Sequence, residues 1–269
     1  MCANFHFATI SEVFKLSTRS RSTRIWGTLK LFRVSDIASY SSTMMQAMTY
    51  GKTSSRGKLI VFEGCDRSGK STQCAMLTER LRKDGHKVEQ LKFPDRTTSI
   101  GHMINNYLAN KEEQRDEVIH LLFSANRWES MQKMSNLLLG GTTLVVDRYA
   151  YSGIAYSAAK GMDLQWCRQP DVGLIKPDKV IFMTLSADRA SERAAFGEER
   201  YEKKEFQAKV EKIFEQLFEK SYWQNVSGDG TVEEVHNDVY GVVSQIVSSD
   251  CGPLEKLWTE GTIHHNAAH

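Results

Sequence analysis

The hydrophobic positions from residue 57 to about residue 258 form short apolar runs separated by longer stretches with helical spacing. The short runs contain the β-branched residues typical of buried strands, and they lie at 58–63, 86–93, 143–147 and 178–185. Helical spacing predicts helices at 99–110, 115–139, 186–194 and 204–222. Strands that alternate with helices predict an α/β fold, in which crossover helices cover both faces of a parallel sheet.

The first predicted strand runs into the glycine-containing segment GCDRSGKS at residues 64–71, and a helix follows that ends at Gly85. The segment is a complete G-x-x-x-x-G-K-S pattern in the strand-loop-helix context that a phosphate-binding loop requires. In such a loop, backbone N–H groups and the helix N-terminus surround phosphate oxygens, while Lys70 reaches the transferred phosphate and Ser71 binds Mg²⁺. The loop predicts nucleoside triphosphate binding, and by itself it does not distinguish a kinase from other such proteins.

A carboxylate at the end of the third predicted strand is the second chemical signal. Asp147 ends the apolar run TLVVD, which is where open α/β sheets bind ligands and where a Walker-B carboxylate organises magnesium. An aspartate that only caps the next helix is the alternative. Ser71 and Asp147 are therefore the predicted metal ligands.

Aromatic and basic residues recur together at two further places. Phe93 and Arg96 end the second predicted strand, and Phe123 and Arg127 share one face of a predicted helix. A plain turn and a core residue beside a solvated arginine are the respective alternatives. The repeated placement of arginine at strand ends and on helix faces favours phosphate chemistry.

Five segments together resemble the eukaryotic thymidylate kinase family: FEGCDRSGKSTQ, FPDR, LLFSANRWE, VVDRYAYSG and AFGEERYE occur in the family's order and spacing. The resemblance extends from about residue 57 to residue 258. It implies the P-loop NTPase fold with a five-stranded parallel sheet, helices on both faces and a short lid at about 195–204. It also implies a homodimer that phosphorylates dTMP to dTDP with ATP and Mg²⁺.

The resemblance implies roles for individual residues. Phe123 would stack on thymine, Arg127 would donate to it, and Tyr149 would disfavour a ribose 2′-hydroxyl. Arg96 and Arg148 would bind the monophosphate. The catalytic residues would be Arg67, Lys70, Asp147 and Arg148, and the ATP site would comprise Gly64, Cys65, Asp66, Arg67, Ser68, Gly69, Lys70, Ser71 and Thr72. The dTMP site would comprise Asp66, Phe93, Arg96, Phe123, Arg127, Arg148, Tyr149, Gly153, Tyr156, Tyr201 and Gln207.

Composition and motifs weigh against several other classes of protein. A formal charge of +2 argues against a dedicated nucleic-acid binder, and no apolar stretch is long enough to predict a membrane span. Five cysteines without a C-x-x-C pair fit neither a disulfide framework nor a zinc site. A GTPase would need an N-K-x-D segment, which is missing. Another nucleoside monophosphate kinase and a nucleotide-binding protein without catalysis remain the alternatives.

Residues 1–50 differ in composition from the remainder of the chain. They contain six basic and two acidic residues, which leaves 29 basic against 31 acidic residues from position 51 onward, and they include eight serines and six threonines. This composition predicts a mitochondrial transit peptide ahead of a kinase domain at 57–258 and a tail at 259–269, with a disordered extension as the alternative. Initiation at Met44, Met45 or Met48 would leave the product in the cytoplasm or nucleus.

Overall fold

The computed structural model describes residues 56–185, 200–201 and 203–259. Within these residues, one sheet contains five parallel strands in the order β2-β3-β1-β4-β5. The strands are β1 (Leu59–Glu63), β2 (Val88–Lys92), β3 (Thr143–Asp147), β4 (Lys179–Thr184) and β5 (Trp223–Ser227). The prediction of a five-stranded parallel sheet is confirmed.

Helices cover both faces of the sheet, because successive strand side chains point to opposite sides. In β1, Leu59 and Val61 pack on one side, and Ile60 and Phe62 pack on the other. The described helices are α1 (Lys70–Lys83), α2 (Ser99–Leu108), α3 (Asp116–Trp128), α4 (Met131–Leu139), α5 (Ala150–Ala158), α6 (Leu164–Arg168), α7 (Lys204–Leu217) and α8 (Val232–Val247). Apolar residues of α4, α5 and α7 cover the first side, and those of α1 and α8 cover the second.

Two predicted helices have the wrong bounds. The predicted helix 115–139 is two helices, α3 and α4, because Glu129 and Ser130 form a turn in which the Glu129 carboxylate accepts from Thr98 and Asn126 at 2.6 and 2.7 Å. No glycine or proline marks this turn, so the apolar spacing runs through it. The predicted helix 204–222 ends at Leu217, because Phe218 is extended and residues 220–222 form a turn that leads into β5, from which Tyr222 and Trp223 pack into the core.

Other predictions agree with the structure or lie outside the described residues. The four predicted strands and the helix predicted at 99–110 match the observed elements to within about two residues at each end. Residues 1–50, the predicted helix 186–194, most of the predicted lid at 195–204 and all but the first residue of the tail are outside the described residues. No helix in the described part of the chain combines the length and apolar character needed to cross a membrane.

The carboxyl ends of three adjacent strands meet at one edge of the sheet. Asp147, the last residue of β3, is in register with Phe62 of β1 and with Lys92 of β2. The loops that follow these strands therefore lie side by side, at the place where ligands of open α/β sheets bind.

Candidate active site

A cavity of about 470 Å³ opens at this edge of the sheet. Sixteen of the predicted site residues line it: Asp66, Arg67, Gly69, Lys70, Ser71, Thr72, Phe93, Arg96, Phe123, Arg127, Asp147, Arg148, Tyr149, Gly153, Tyr156 and Tyr201. The other four, Gly64, Cys65, Ser68 and Gln207, lie behind this lining or beside it. The cavity thus brings the predicted phosphate-binding loop together with the predicted acceptor residues.

The loop between β1 and α1 needs glycine at both ends. A Cβ atom at Gly64 would collide with the carbonyl oxygen of Met183, and Gly69 has a φ of 96°, in the left-handed region. Inside the loop, the Lys70 ammonium group donates to the Cys65 carbonyl and to the Ser68 hydroxyl, the latter at 3.1 Å. Burial and the nearby Arg148 charge lower the pKa of Lys70 to about 8. A phosphate group in the cavity would compensate both effects.

The two predicted metal ligands, Ser71 and Asp147, are adjacent. The Ser71 hydroxyl donates to the buried Asp147 carboxylate at 2.5 Å. A hydroxyl and a carboxylate offer only oxygen, which is the ligand type that Mg²⁺ prefers, and Mg²⁺ commonly takes one or two protein ligands and completes its shell with phosphates and water. These two side chains therefore fit the metal that a nucleoside triphosphate carries.

Arg148 lines the cavity and is held there by several polar groups. Its guanidinium donates to the Gly64 carbonyl at 3.1 Å and to the Ser152 hydroxyl at 3.0 Å, and it forms an ion pair with Asp66. Gln207 completes the group, since its amide donates to the Asp66 carboxylate at 2.7 Å and accepts from the Asp66 backbone at 2.9 Å. Burial opposes ionisation of Asp66, but Arg148 and Lys70 outweigh it and lower the pKa of that carboxyl.

Glu63 is a buried residue of this site that sequence reasoning missed. Its carboxylate accepts from the backbone of Tyr149 at 2.9 Å and from the backbone and hydroxyl of Ser152 at 3.1 and 2.5 Å. Glu63 thereby caps α5 and orients the hydroxyl that supports Arg148. Burial raises the pKa of Glu63. An acidic residue at the end of an otherwise apolar strand was the signal that could have identified it.

Arg127 is held by a partner that the sequence did not reveal. Asp171 accepts from two nitrogens of the Arg127 guanidinium, at 3.1 and 2.6 Å, and Arg127 is only 2% exposed and Asp171 0%. The guanidinium lies against Gly153, where an added Cβ would be 2.7 Å from Arg127 Nη2. Asp171 uses two of the five N–H donors, and within the described residues the others have no hydrogen-bond acceptor, so they can serve a ligand in the cavity.

Hydrogen bonds from a side chain of α3 hold the loop that carries Phe93 and Arg96. Asn126 accepts from the Asp95 backbone N–H at 2.7 Å and donates to the Asp95 carbonyl at 3.1 Å. The Phe93 ring packs 5.9 Å from the Tyr149 ring, and both line the cavity. Arg96 donates to Asn105 at 3.0 Å. The two predicted acceptor residues of this loop therefore face the same space as Arg148.

Two further tyrosines, Tyr156 and Tyr201, line the cavity. The Tyr201 hydroxyl donates to Tyr107 at 3.2 Å, and the Tyr201 carbonyl accepts from Gln207 at 3.0 Å. The Tyr156 ring lies under the Arg148 guanidinium at 5.2 Å. At the loop, burial raises the pKa of the Cys65 thiol to about 12, so this cysteine is a thiol near neutral pH and a poor target for oxidation.

The structure adds cavity-lining residues that the sequence did not single out. They are Lys92, Pro94, Leu108, Ile119, Ser152 and Ser157. Ile119 and Leu108 read as ordinary core positions in the sequence, and the two serines belong to a helix whose cavity-facing side is set only by tertiary packing.

Comparison with known proteins gives one family. A sequence profile described as thymidylate kinase matches residues 62–239. The thymidylate kinase of Arabidopsis thaliana is 50% identical over 206 residues, which cover 76% of this chain and 78% of that protein. The Homo sapiens thymidylate kinase is 46% identical over 212 residues, or 76% of this chain and 98% of that protein. A solved structure of thymidylate kinase from Candida albicans is 37% identical and has a TM-score of 0.69, and the match covers 75% of this chain and 98% of that one.

Proposed function

The chain belongs to the thymidylate kinase family, an ATP-dependent dTMP kinase family, and we propose that the residues around its cavity carry out this reaction in the roles given below. The observation that carries the proposal is that one cavity contains both halves of the site. Lys70 and Ser71 of the phosphate-binding loop line it together with Phe123 and Arg127. A phosphoryl donor and an acceptor that carries a base can therefore bind side by side in the same cavity.

The donor half binds the triphosphate of ATP. Backbone N–H groups of the loop and the N-terminus of α1 surround the β- and γ-phosphates, and Lys70 contributes a charge that follows the moving phosphoryl group. Ser71 and Asp147 hold Mg²⁺, which when bound neutralises phosphate charge and aligns the phosphate oxygens. Arg67 lines the cavity beside Lys70 and adds a second cation.

The acceptor half binds dTMP. Phe123 stacks on the thymine ring, Arg127 donates to a thymine carbonyl, and Tyr149 occupies the space that a ribose 2′-hydroxyl would need. Arg96 and Arg148 bind the 5′-phosphate, which is the nucleophile in an in-line transfer. Two polyanions repel each other in water, so the main tasks of these residues are to neutralise charge and to align the reacting oxygens.

The purified chain tests these roles directly. Chromatography can measure the formation of dTDP from ATP and dTMP. The reaction should need Mg²⁺, and its turnover rate should fall by about a thousandfold or more in Lys70→Ala, because the charge that stabilises the transition state is removed. Lys133→Ala is the matched control, since this exposed lysine pairs with Glu89 on the surface. Unchanged turnover in folded Lys70→Ala would remove Lys70 from the mechanism.

We also propose that two chains associate. Large apolar side chains are exposed on α2 and α3 of the single chain, namely Met103, Val118, Leu121 and Trp128. Apolar side chains gathered on a surface favour a protein interface. Light scattering should give a dimer, and Leu121→Glu should give monomers. A monomer at micromolar concentration in the unaltered chain would contradict the proposal.

For residues 1–50 we propose mitochondrial targeting, which rests on their net charge of +4 and their serine and threonine content. Fused to a fluorescent reporter, the segment should direct the reporter to mitochondria, whereas a chain that starts at Met44 should stay in the cytoplasm or nucleus. A diffuse signal from the full segment would refute the targeting without affecting the kinase.

A further inference from the structure

A buried chain of polar groups leads from α6 to the cavity through His120. The Nε2 atom of His120 lies 2.9 Å from the Cys167 carbonyl oxygen, and its Nδ1 atom lies 2.7 Å from the Ser157 hydroxyl. His120 is fully buried and is not part of the cavity lining, whereas Ser157 lines the cavity. His120 thus influences the site through Ser157.

The direction of both hydrogen bonds follows from the chemistry of the partners. A carbonyl oxygen only accepts, so Nε2 of His120 carries the hydrogen. Burial and the Arg127 charge lower the pKa of His120, which keeps the ring neutral. A neutral imidazole has one N–H group, so Nδ1 accepts. The single hydroxyl proton of Ser157 is therefore donated to His120, and Ser157 offers only lone pairs to the cavity.

Ser157 and Arg127 both line the cavity, and they are related through α5. Gly153 and Ser157 are four residues apart on α5 and share one face of that helix. The Arg127 guanidinium lies against Gly153. The face of α5 that the Arg127 guanidinium contacts at Gly153 therefore also carries Ser157, one turn further on, as a hydrogen-bond acceptor.

We propose that His120 is a positioning residue that fixes Ser157 as an acceptor, so that Ser157 and Arg127 together select pyrimidine monophosphates with an N3–H group and reject cytosine. This inference rests on the proposed function of the cavity. Thymine and uracil present a carbonyl acceptor at position 4 and a donor at N3, which complement Arg127 and Ser157. Cytosine presents an amino donor at position 4 and a lone pair at N3, so both contacts are mismatched.

Two substitutions separate the two bonds of His120. In His120→Gln, the amide nitrogen takes the place of Nε2 and still donates to Cys167, but the acceptor for Ser157 is lost. In His120→Asn, the amide oxygen takes the place of Nδ1 and still accepts from Ser157. We measure kcat/KM for dTMP and dCMP in these variants, in Ser157→Ala and in His120→Gln/Ser157→Ala, and we check folding by thermal melting.

The unaltered enzyme should prefer dTMP over dCMP by about a hundredfold or more. The ratio should fall by about tenfold in His120→Gln and in Ser157→Ala, which corresponds to one hydrogen bond, and it should stay near the original value in His120→Asn. In the Ser157→Ala background, His120→Gln should change the ratio no further.

If the enzyme remains active on dTMP, three results would overturn the inference. The first two are an unchanged ratio of kcat/KM for dTMP to that for dCMP in Ser157→Ala or in folded His120→Gln. The third is an effect of His120→Gln on this ratio that is the same with and without the Ser157 hydroxyl. If His120→Gln fails to fold, Ser157→Ala and His120→Asn decide the question. Failure of the unaltered enzyme to phosphorylate dTMP would instead contradict the proposed function.

Discussion

Replacing Gly153 by alanine tests the predicted acceptor site with the smallest possible change. The added Cβ would lie 2.7 Å from Nη2 of Arg127, closer than a methyl group and a nitrogen can approach, and 3.1 Å from Nη1, which is tighter than an ordinary contact. The guanidinium cannot move away freely, because the buried Asp171 carboxylate holds it by two hydrogen bonds. Gly153→Ala should therefore push Arg127 out of its position for donating to the base.

The size of the effect follows from the bond that is lost. A hydrogen bond to a charged group is worth about 1.5–3 kcal/mol, which corresponds to a roughly 10- to 150-fold loss in kcat/KM for dTMP. The free energy of unfolding should change by less than this, because two contributions oppose each other. Crowding costs about 1–3 kcal/mol, but alanine in the interior of α5 recovers about 1 kcal/mol relative to glycine.

A coupled assay that follows ADP formation gives kcat and KM for dTMP and for ATP, and thermal melting reports stability. The loss should appear in kcat/KM for dTMP, with the KM for ATP little changed. Gly241→Ala is the matched control, because Gly241 is also inside a helix, α8, and nothing lies within 4 Å of an added Cβ. Wild-type kinetics for dTMP in Gly153→Ala would refute the placement of Arg127 beside the base.

Three further predictions concern buried polar contacts. Asp171→Asn leaves the Arg127 charge without its buried partner, so urea unfolding should show a loss of about 3–5 kcal/mol. Ser152→Ala removes the hydroxyl between Glu63 and Arg148, so kcat/KM for dTMP should fall by about tenfold or more in steady-state assays, while an unchanged value would show that Arg148 needs no such support. Because burial lowers the pKa of His120, the unfolded chain takes up this proton near pH 6.5 and the folded chain takes it up only at a lower pH. The free energy of unfolding should therefore decrease as the pH falls below about 6.5, and less steeply in His120→Gln, where urea titrations between about pH 5 and 7.5 are the check.

Features set by local sequence could be predicted from it. The phosphate-binding loop depends on glycines and on the strand and helix that flank it, so Lys70 and Ser71 could be located without tertiary information. Asp147 could be located because it ends a continuous apolar strand. The structure brings all three together at the cavity, as expected.

Features that depend on distant partners could not be predicted. Asp171 is 44 residues from Arg127, and Glu63 is 86 residues from the Tyr149 backbone that it caps, so neither spacing carries a signal. The apolar pattern by itself did not predict the position of strand β5, which the family resemblance implied only as a fifth strand, and the reason is different. Only Trp223 and Val226 of this edge strand are buried, and the apolar residues before it continue the spacing of α7.

The most direct test of the account is a comparison of acceptors with the purified enzyme, ATP and Mg²⁺. The value of kcat/KM should be highest for dTMP, intermediate for dUMP, which lacks only the 5-methyl group, and lower for UMP, whose 2′-hydroxyl would need the space that we assign to Tyr149. One methyl group in a fitted pocket is worth about 1–3 kcal/mol, so dUMP should be about 10- to 200-fold below dTMP. AMP and GMP should be the poorest acceptors, because a larger purine ring would have to occupy the space that we propose for thymine beside Phe123 and Arg127. Equal use of dTMP and UMP, or a preference for AMP or GMP, would contradict the assignment of this cavity to dTMP.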